Sequence, residues 1–274
     1  MTGDSQDGIR AALTSGNAGE SCERRGPERT VMGRVASIMD AFNCSQQVLS
    51  LGDLSDRTGL PKSTLHRLAD QLCQIGWIER DPGGYRVGLR MFELGSLAAE
   101  GGQLREVAFP HLQALAVRTG MTAQLGVLDH GEVVYIERIA EGSLRLPTRR
   151  GGRNPVYCTA IGKAMAAFDD EVIQAVTSGD MPRRTVNTIT DPLALKAELN
   201  QVRRLGVAFD RGEAYDRLVC VAAPVRNAGG AVAAVSVTGP AGQMRWGMVA
   251  EAVRGTANAI WNASVKLGNA SARV

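Results

Sequence analysis

The most constraining feature of the chain lies between Leu51 and Gly76, where two short apolar-faced segments meet at a glycine with almost no linker. Gly59 supplies the permissive backbone that ends the first segment, and Pro61 opens the second where its missing N–H costs nothing. Leu51 and Leu54 mark the inner side of a helix from about Leu51 to Thr58. Leu65, Leu68, Ala69, Leu72 and Ile75 mark the inner side of the next, with Ser63, His66, Arg67, Asp70 and Gln74 on its outer side and Gly76 at its end. Upstream, Val31, Val35, Ile38, Met39 and Phe42 repeat at the spacing of one helical face. Downstream, Trp77–Arg80 and Tyr85–Val87 flank Asp81-Pro82-Gly83-Gly84, a strand–turn–strand signal. Three short helices and a hairpin predict a winged helix-turn-helix over 28–90. That layout lets the second helix of the pair enter the major groove of DNA while the hairpin reaches the neighbouring backbone.

Charge must act locally if DNA is the partner, because the formal net charge is only +3 over 274 residues. Within 28–90, eight cations face seven acids, yet Arg57, Lys62 and Arg67 stand in a stretch that holds no acid. Arg57, Lys62, Ser63, Thr64, His66 and Arg67 are therefore expected at double-stranded DNA, against the alternative of a solvated helix face. Ser63 and Thr64 suit phosphates, and Arg67 suits either a guanine edge or a phosphate. In the wing, Tyr85 and Arg86 either touch the DNA backbone or minor groove, or else Tyr85 packs on Trp77 and Arg86 is merely solvated.

The remaining length calls for a second domain. Residues 1–27, rich in Gly, Ser, Asp and Asn without apolar periodicity, are expected to form a disordered tail. Leu89, Met91, Phe92, Leu94, Leu97 and Ala98 continue as a connector helix broken by Gly101-Gly102, giving a linker over 91–104. A helix from Leu104 to Thr119 then leads to a hairpin, Thr122–Leu128 and Val133–Ile139 around Asp129-His130-Gly131. A second hairpin joins Leu218–Val225 to Ala231–Thr238, and helices fall at Thr159–Phe168, Glu171–Val176, Pro192–Leu205 and about Met244–Lys266. Strand pairs interleaved with helices predict an α+β domain over 105–268, with 269–274 as a tail. Pro224 should mark an edge or a bulge. Thr159 begins a helix that is either a seat for a ligand carboxylate or an ordinary cap beside a close-packed glycine. Ser236, a polar point in an apolar run, is a further candidate for contact with a ligand.

Five cysteines (Cys22, Cys44, Cys73, Cys158 and Cys220) form no CxxC pair, as expected of reduced thiols. The three histidines share no metal-ligand spacing with cysteine or carboxylate, so neither metal nor cofactor is expected. His111 and His130 read as structural or solvated. A hydrolase would have to combine Cys158 or Cys220 with His130, and no nucleophile-elbow motif supports it. No apolar run approaches the roughly 18–20 residues of a membrane span, and no secretory signal opens the chain, so a cytoplasmic protein is expected.

The run DLSDRTGLPKSTLHRLADQLCQIGWIERDPGGYRVGLRMFELG closely resembles the DNA-binding half of IclR-family regulators. NPVYCTAIGKAMAAF, GVAFDRGE and VCVAAPVRNAGGAVAAVSVTGP resemble that family's effector-binding half, so the likeness extends from about Glu28 to Leu267. Tyr157-Cys158 departs from the histidine and small residue of many members, and Ser55-Asp56 from the usual alanine and arginine-like pair. The resemblance implies a winged helix-turn-helix joined to a GAF-like effector domain, assembled as a dimer or a dimer of dimers. It also implies a palindromic operator, repression in preference to activation, a neighbouring catabolic operon and a small effector, often a carboxylic or aromatic acid. Family position places Ala160 and Ile161 at the effector, with Leu144, Leu146 and Asn154 on the opposite wall. It adds Asp210 as an acceptor and Cys220 as a weak donor. A large ligand domain argues against a purely architectural DNA binder. Effector control is expected to pass through the Leu89–Ala99 connector.

Overall fold

The computed structural model describes residues 30–42, 48–97, 99–141 and 145–271, with 99–103 and 267–271 described as backbone only. The expected tail at 1–27 lies outside the described residues. The chain divides into two compact units, Met1–Ala98 and Ala99–Val274.

The first unit comprises α1 (Val31–Ala41), α2 (Leu51–Thr58), α3 (Lys62–Gln74), the hairpin β1 (Ile78–Asp81) and β2 (Gly84–Val87), and α4 (Leu89–Ser96). Local chemistry explains the boundaries. Ser50 and Asp53 form a reciprocal capping box at the start of α2, and Gly59 ends it at φ 69°. Pro61 precedes α3, and Gly76 at φ 75° turns the chain out of it. Ile38, Leu49, Leu54, Leu60, Leu65, Leu68, Leu72, Ile78 and Tyr85 form one buried core. Ile75, expected on the inner face, is instead exposed, because it caps α3 and has left the helical register. Leu49 bridges to Tyr85 through paired backbone hydrogen bonds of 2.9 and 2.8 Å. A Cβ on Gly84 would meet the Leu49 carbonyl oxygen at 2.2 Å, so this crossing requires glycine.

The second unit opens with α5 (Ala99–Thr119), which runs unbroken through Gly101 and Gly102. The expected break there does not occur, since glycine weakens a helix without forbidding it. The interruption falls at Leu97, the C-cap of α4, instead. Then come β3 (Thr122–Asp129), β4 (Glu132–Ile139), β5 (Arg153–Pro155), α6 (Ala160–Ala166), α7 (Asp170–Ser178), α8 (Pro192–Leu205), β6 (Ala208–Asp210), β7 (Leu218–Asn227), β8 (Gly230–Pro240) and α9 (Trp246–Ser271). The last helix passes through 269–271, where a tail was expected. No helix among the described residues is long and apolar enough to cross a membrane.

All six strands of the unit pair antiparallel in the order β5-β4-β3-β8-β7-β6. One sheet face packs Ala123, Leu125, Val219, Val221, Ala223, Val235 and Val237 with residues of α5 and α9. The other packs Val133, Tyr135, Cys220, Ala222 and Ala234 with residues of α6 and α8. Covered on both faces, β7 and β8 read as nearly continuous apolar runs. Pro224 sits in β7, paired with Ala234 of β8, beyond the last residue paired by β6 and one residue before a register shift.

Candidate functional site

In the first unit, α3 presents Lys62, Ser63, His66 and Arg67 to solvent, with Thr64 half-buried. His66 Nδ1 lies 3.1 Å from Asp70 Oδ2, and Asp70 also holds Arg80. Lys62 and Arg67 have no acidic partner among the described residues. No side chain caps the N-terminus of α3, so its first N–H groups stay open to an acceptor.

Two residues expected at DNA are placed elsewhere by the packing. Tyr85 is only 6% exposed and belongs to the core that Trp77 also packs against, so its ring cannot reach a groove. The guanidinium of Arg57 turns back to donate to the Ala41 carbonyl at 2.9 Å, holding α2 to α1. Arg86 is exposed but paired with Glu79 at 2.9 and 3.2 Å, and would have to release it to meet a phosphate.

In the second unit, a cavity of about 390 Å³, mouth included, opens on the α6 side of the sheet. Its floor follows from strand periodicity. Asp210, Cys220 and Thr238 are successive cross-strand neighbours on β6, β7 and β8, so their side chains share one face. Cys220 Sγ lies 2.8 Å from Thr238 Oγ1, which donates to Gln124 Oε1 at 3.0 Å. Gln124 Nε2 in turn donates to Thr148 Oγ1 at 2.8 Å, tying the floor to the 145–148 segment above it. Leu146, Thr159, Ala160 and Ile161 line the cavity with Asp210 and Cys220.

Asn154 and Ser236 are not in the lining. Asn154 is buried behind it, donating to the Tyr135 hydroxyl at 3.3 Å and accepting from Tyr215 at 2.9 Å, so it positions two lining aromatics. Ser236 is fully buried in β8. Leu144 lies outside the described residues. Gln124, Tyr135, Thr148, Ala214, Tyr215, Leu218, Val219 and Thr238 line the cavity without having been foreseen. A polar residue alternating with apolar ones on β3 and β8 was the available signal for Gln124 and Thr238.

Thr159 caps α6 by accepting from the Gly162 N–H at 3.2 Å. A Cβ on Gly162 would meet the Val156 carbonyl oxygen at 2.4 Å, so this glycine is close-packed against the preceding turn.

Burial governs the site's titration. It pushes the Asp210 carboxyl up to about 7, opposed in part by the Glu213 N–H, which donates to Asp210 Oδ1 at 2.6 Å. Burial likewise pushes the Cys220 and Cys158 thiols up to about 12. At neutral pH both are protonated and poor nucleophiles. His130, at φ 49° in an exposed hairpin turn, bonds Asp129 and does not line the cavity. The arrangement can bind a small molecule but assembles no nucleophile with a base.

A DNA-binding head followed by a sheet domain with a polar-floored cavity defines the class of ligand-responsive transcription regulators. Comparison with known proteins agrees. Residues 32–82 match the IclR helix-turn-helix domain and residues 97–262 the C-terminal domain of bacterial IclR regulators. The chain is 39% identical over 200 residues to the regulator XynR of Escherichia coli, covering 71% of this chain and 79% of XynR. It is 35% identical over 217 residues to KdgR of the same species, covering 75% and 82%. Among solved structures, an IclR homologue from Microbacterium hydrocarbonoxydans in complex with 4-hydroxybenzoate superposes with a TM-score of 0.79 at 31% identity, covering 86% of this chain and all of that one. The Thermotoga maritima IclR gives 0.68 at 28% identity, covering 86% and 98%. The chain belongs to the IclR family of DNA-binding transcription regulators, and it is not an enzyme.

Proposed function

We propose that the chain is a cytoplasmic repressor of a neighbouring catabolic operon, binding a palindromic operator as a dimer or dimer of dimers until a small carboxylic or aromatic acid enters the cavity. The carrying observation is the cavity on the α6 side of the sheet, with the polar row Asp210-Cys220-Thr238 as its floor. The Microbacterium relative was crystallised with such an acid. Effector control requires different effector affinities for the free and operator-bound states. Calorimetric titration of 4-hydroxybenzoate and related acids into free and operator-bound protein tests this, and equal affinities for the two would exclude the coupling.

The proposed DNA contacts are Lys62, Ser63, Thr64, His66 and Arg67, with Arg86 able to join once it leaves Glu79. Arg67→Ala is expected to weaken operator binding by roughly tenfold or more, the loss of one cationic contact. Fluorescence anisotropy with the upstream promoter at fixed salt measures it, and unchanged affinity would remove Arg67 from the interface.

Homodimerisation is supported by α4 and its C-cap, which leave Leu89, Phe92 and Leu97 65%, 66% and 75% exposed. Phe92→Asp is expected to shift the light-scattering mass of the head unit's association toward the monomer and to weaken operator binding with it. A variant that keeps the wild-type mass would place the interface elsewhere.

A further inference from the structure

Asp70 is the only acid of α3, and its partners come from two elements. On its own helix, His66 Nδ1 lies 3.1 Å from Asp70 Oδ2, one turn back. From β1, Arg80 donates to Asp70 Oδ1 at 2.5 Å, and its guanidinium stands 5.8 Å from the centre of the buried Tyr85 ring. The carboxylate is thus held from the hairpin side while it faces the imidazole. Other charged groups of the hairpin are engaged elsewhere. Glu79 accepts from Arg86 and from the Leu89 N–H, and Asp81 accepts from the Gly83 N–H. Cys73, three residues beyond Asp70, is a neutral thiol pushed up by burial. Lys62 and Arg67 complete the charges of α3, and neither has an acidic partner among the described residues.

An acid on a DNA-facing helix repels phosphates, and an exposed ion pair one turn apart adds little stability. What Asp70 does set is the chemistry that His66 shows. Two acceptors would repel at 3.1 Å, so the nitrogen beside the carboxylate carries the proton. In a neutral imidazole the other nitrogen is then an acceptor. That nitrogen, Nε2, has no partner among the described residues, and the His66 side chain is 57% exposed. His66 is the fifth residue of α3, in the stretch that a recognition helix turns toward base edges. In the major groove, the donors that such an acceptor can meet are the exocyclic amino groups of adenine and cytosine. Guanine and thymine offer no donor there. Without Asp70 both tautomers are open, and a ring that can show either an N–H or a lone pair does not tell the two sets apart.

We propose that Asp70 is a specificity-determining residue that acts through His66. It holds the ring as an Nε2 acceptor, so that His66 reads an exocyclic amino group of adenine or cytosine at one position of the operator. Arg80 fixes Asp70 from the hairpin and offsets its charge. Asp70 itself touches no base and is a positioning residue. The inference rests on the reading of α3 as the DNA-contacting helix.

The test is binding-site selection from duplexes randomised within the upstream promoter, followed by fluorescence anisotropy of the full chain at pH 8 and fixed salt. His66→Ala identifies the position, as the one where its base preference disappears. There the exocyclic amino group of the favoured pair is removed, with purine for adenine or pyrimidin-2-one for cytosine. The removal is expected to weaken wild type about fivefold, the size of one net hydrogen bond, and to affect His66→Ala hardly at all. Asp70→Ala should lose most of this penalty while binding the amino-free duplex at least as tightly as wild type, because an acid has left the DNA face. Asp70→Asn should keep most of the penalty, since its amide oxygen can still face the Nδ1 proton. A uniform gain in affinity by Asp70→Ala with the penalty intact would mean that Asp70 acts only as a charge, and would overturn the proposal. No penalty in wild type, or no position altered by His66→Ala, would overturn it as well. If neither His66→Ala nor Arg67→Ala changes operator affinity, α3 is not the DNA-contacting helix, and the underlying reading fails together with the proposal.

Discussion

Lys163→Met is expected to lower the stability of the second unit by about 3–5 kcal/mol, the usual consequence of removing one partner from a buried ion pair. Lys163 is fully buried, and the side chain of Glu213 beside it is only 3% exposed. Methionine nearly preserves the volume, so the loss reports a stranded charge more than a cavity. Glu213 has few other donors to fall back on. Its Oε1 also receives the Arg211 N–H at 3.3 Å, while its Oε2 is buried without a hydrogen-bond partner among the described residues. The damage should reach the cavity floor, because the Glu213 backbone N–H is the donor that holds Asp210. Combining Lys163→Met with Glu213→Leu should recover most of the loss, since an apolar pair of similar size replaces a buried ion pair at little net cost. Urea unfolding followed by the fluorescence of Trp246 and Trp261 measures both variants. A single variant as stable as wild type would mean that the pair does not depend on its charge.

The head was legible because its signals are local. Gly59, Pro61 and Gly76 each sit within two residues of the helix end they enforce. The two misplaced DNA residues depend on partners far along the chain. Arg57 is drawn away by Ala41, sixteen residues upstream, and Tyr85 by the strand bridge to Leu49. Four-residue strands such as β2 show too little alternation to reveal which face is inside.

In the second unit the long hairpins were visible, but the side of the sheet that each residue faces was not. β7 and β8 are apolar on both sides, so Cys220 and Thr238 become neighbours only once their register is known. β5 and β6, three residues each, carry no periodic signal, although β6 delivers Asp210. Tyr135 was hidden differently, in a recognised strand whose alternating burial did not say that a cavity lay against it. The lining from 146–148 and 214–215 lies outside helices and strands, where no regular period exists to read.

Asp210→Asn is expected to raise stability at pH 8 by up to about 4 kcal/mol while leaving it nearly unchanged near pH 4. Burial moves the carboxyl from its ordinary 3.8 to about 7, so the folded protein holds this proton over a range in which the unfolded chain has released it. The contribution of Asp210 to wild-type stability must therefore decline as pH rises from about 4 to about 7 and level off above. A difference of about three pH units corresponds to roughly 4 kcal/mol, an upper figure because the site relaxes on ionisation. Asparagine cannot ionise, and its carbonyl can still accept the Glu213 N–H, so the variant should lack this slope. Groups common to both proteins cancel in the difference between the two curves. Paired urea titrations between pH 4 and 8 give that difference directly, and parallel curves would show that Asp210 ionises freely in the fold. A divergence means that wild type keeps, at the floor of its ligand cavity, an acid that costs it stability at neutral pH. An acid retained against stability points to a role in binding, because a site serving structure alone would be more stable with the amide.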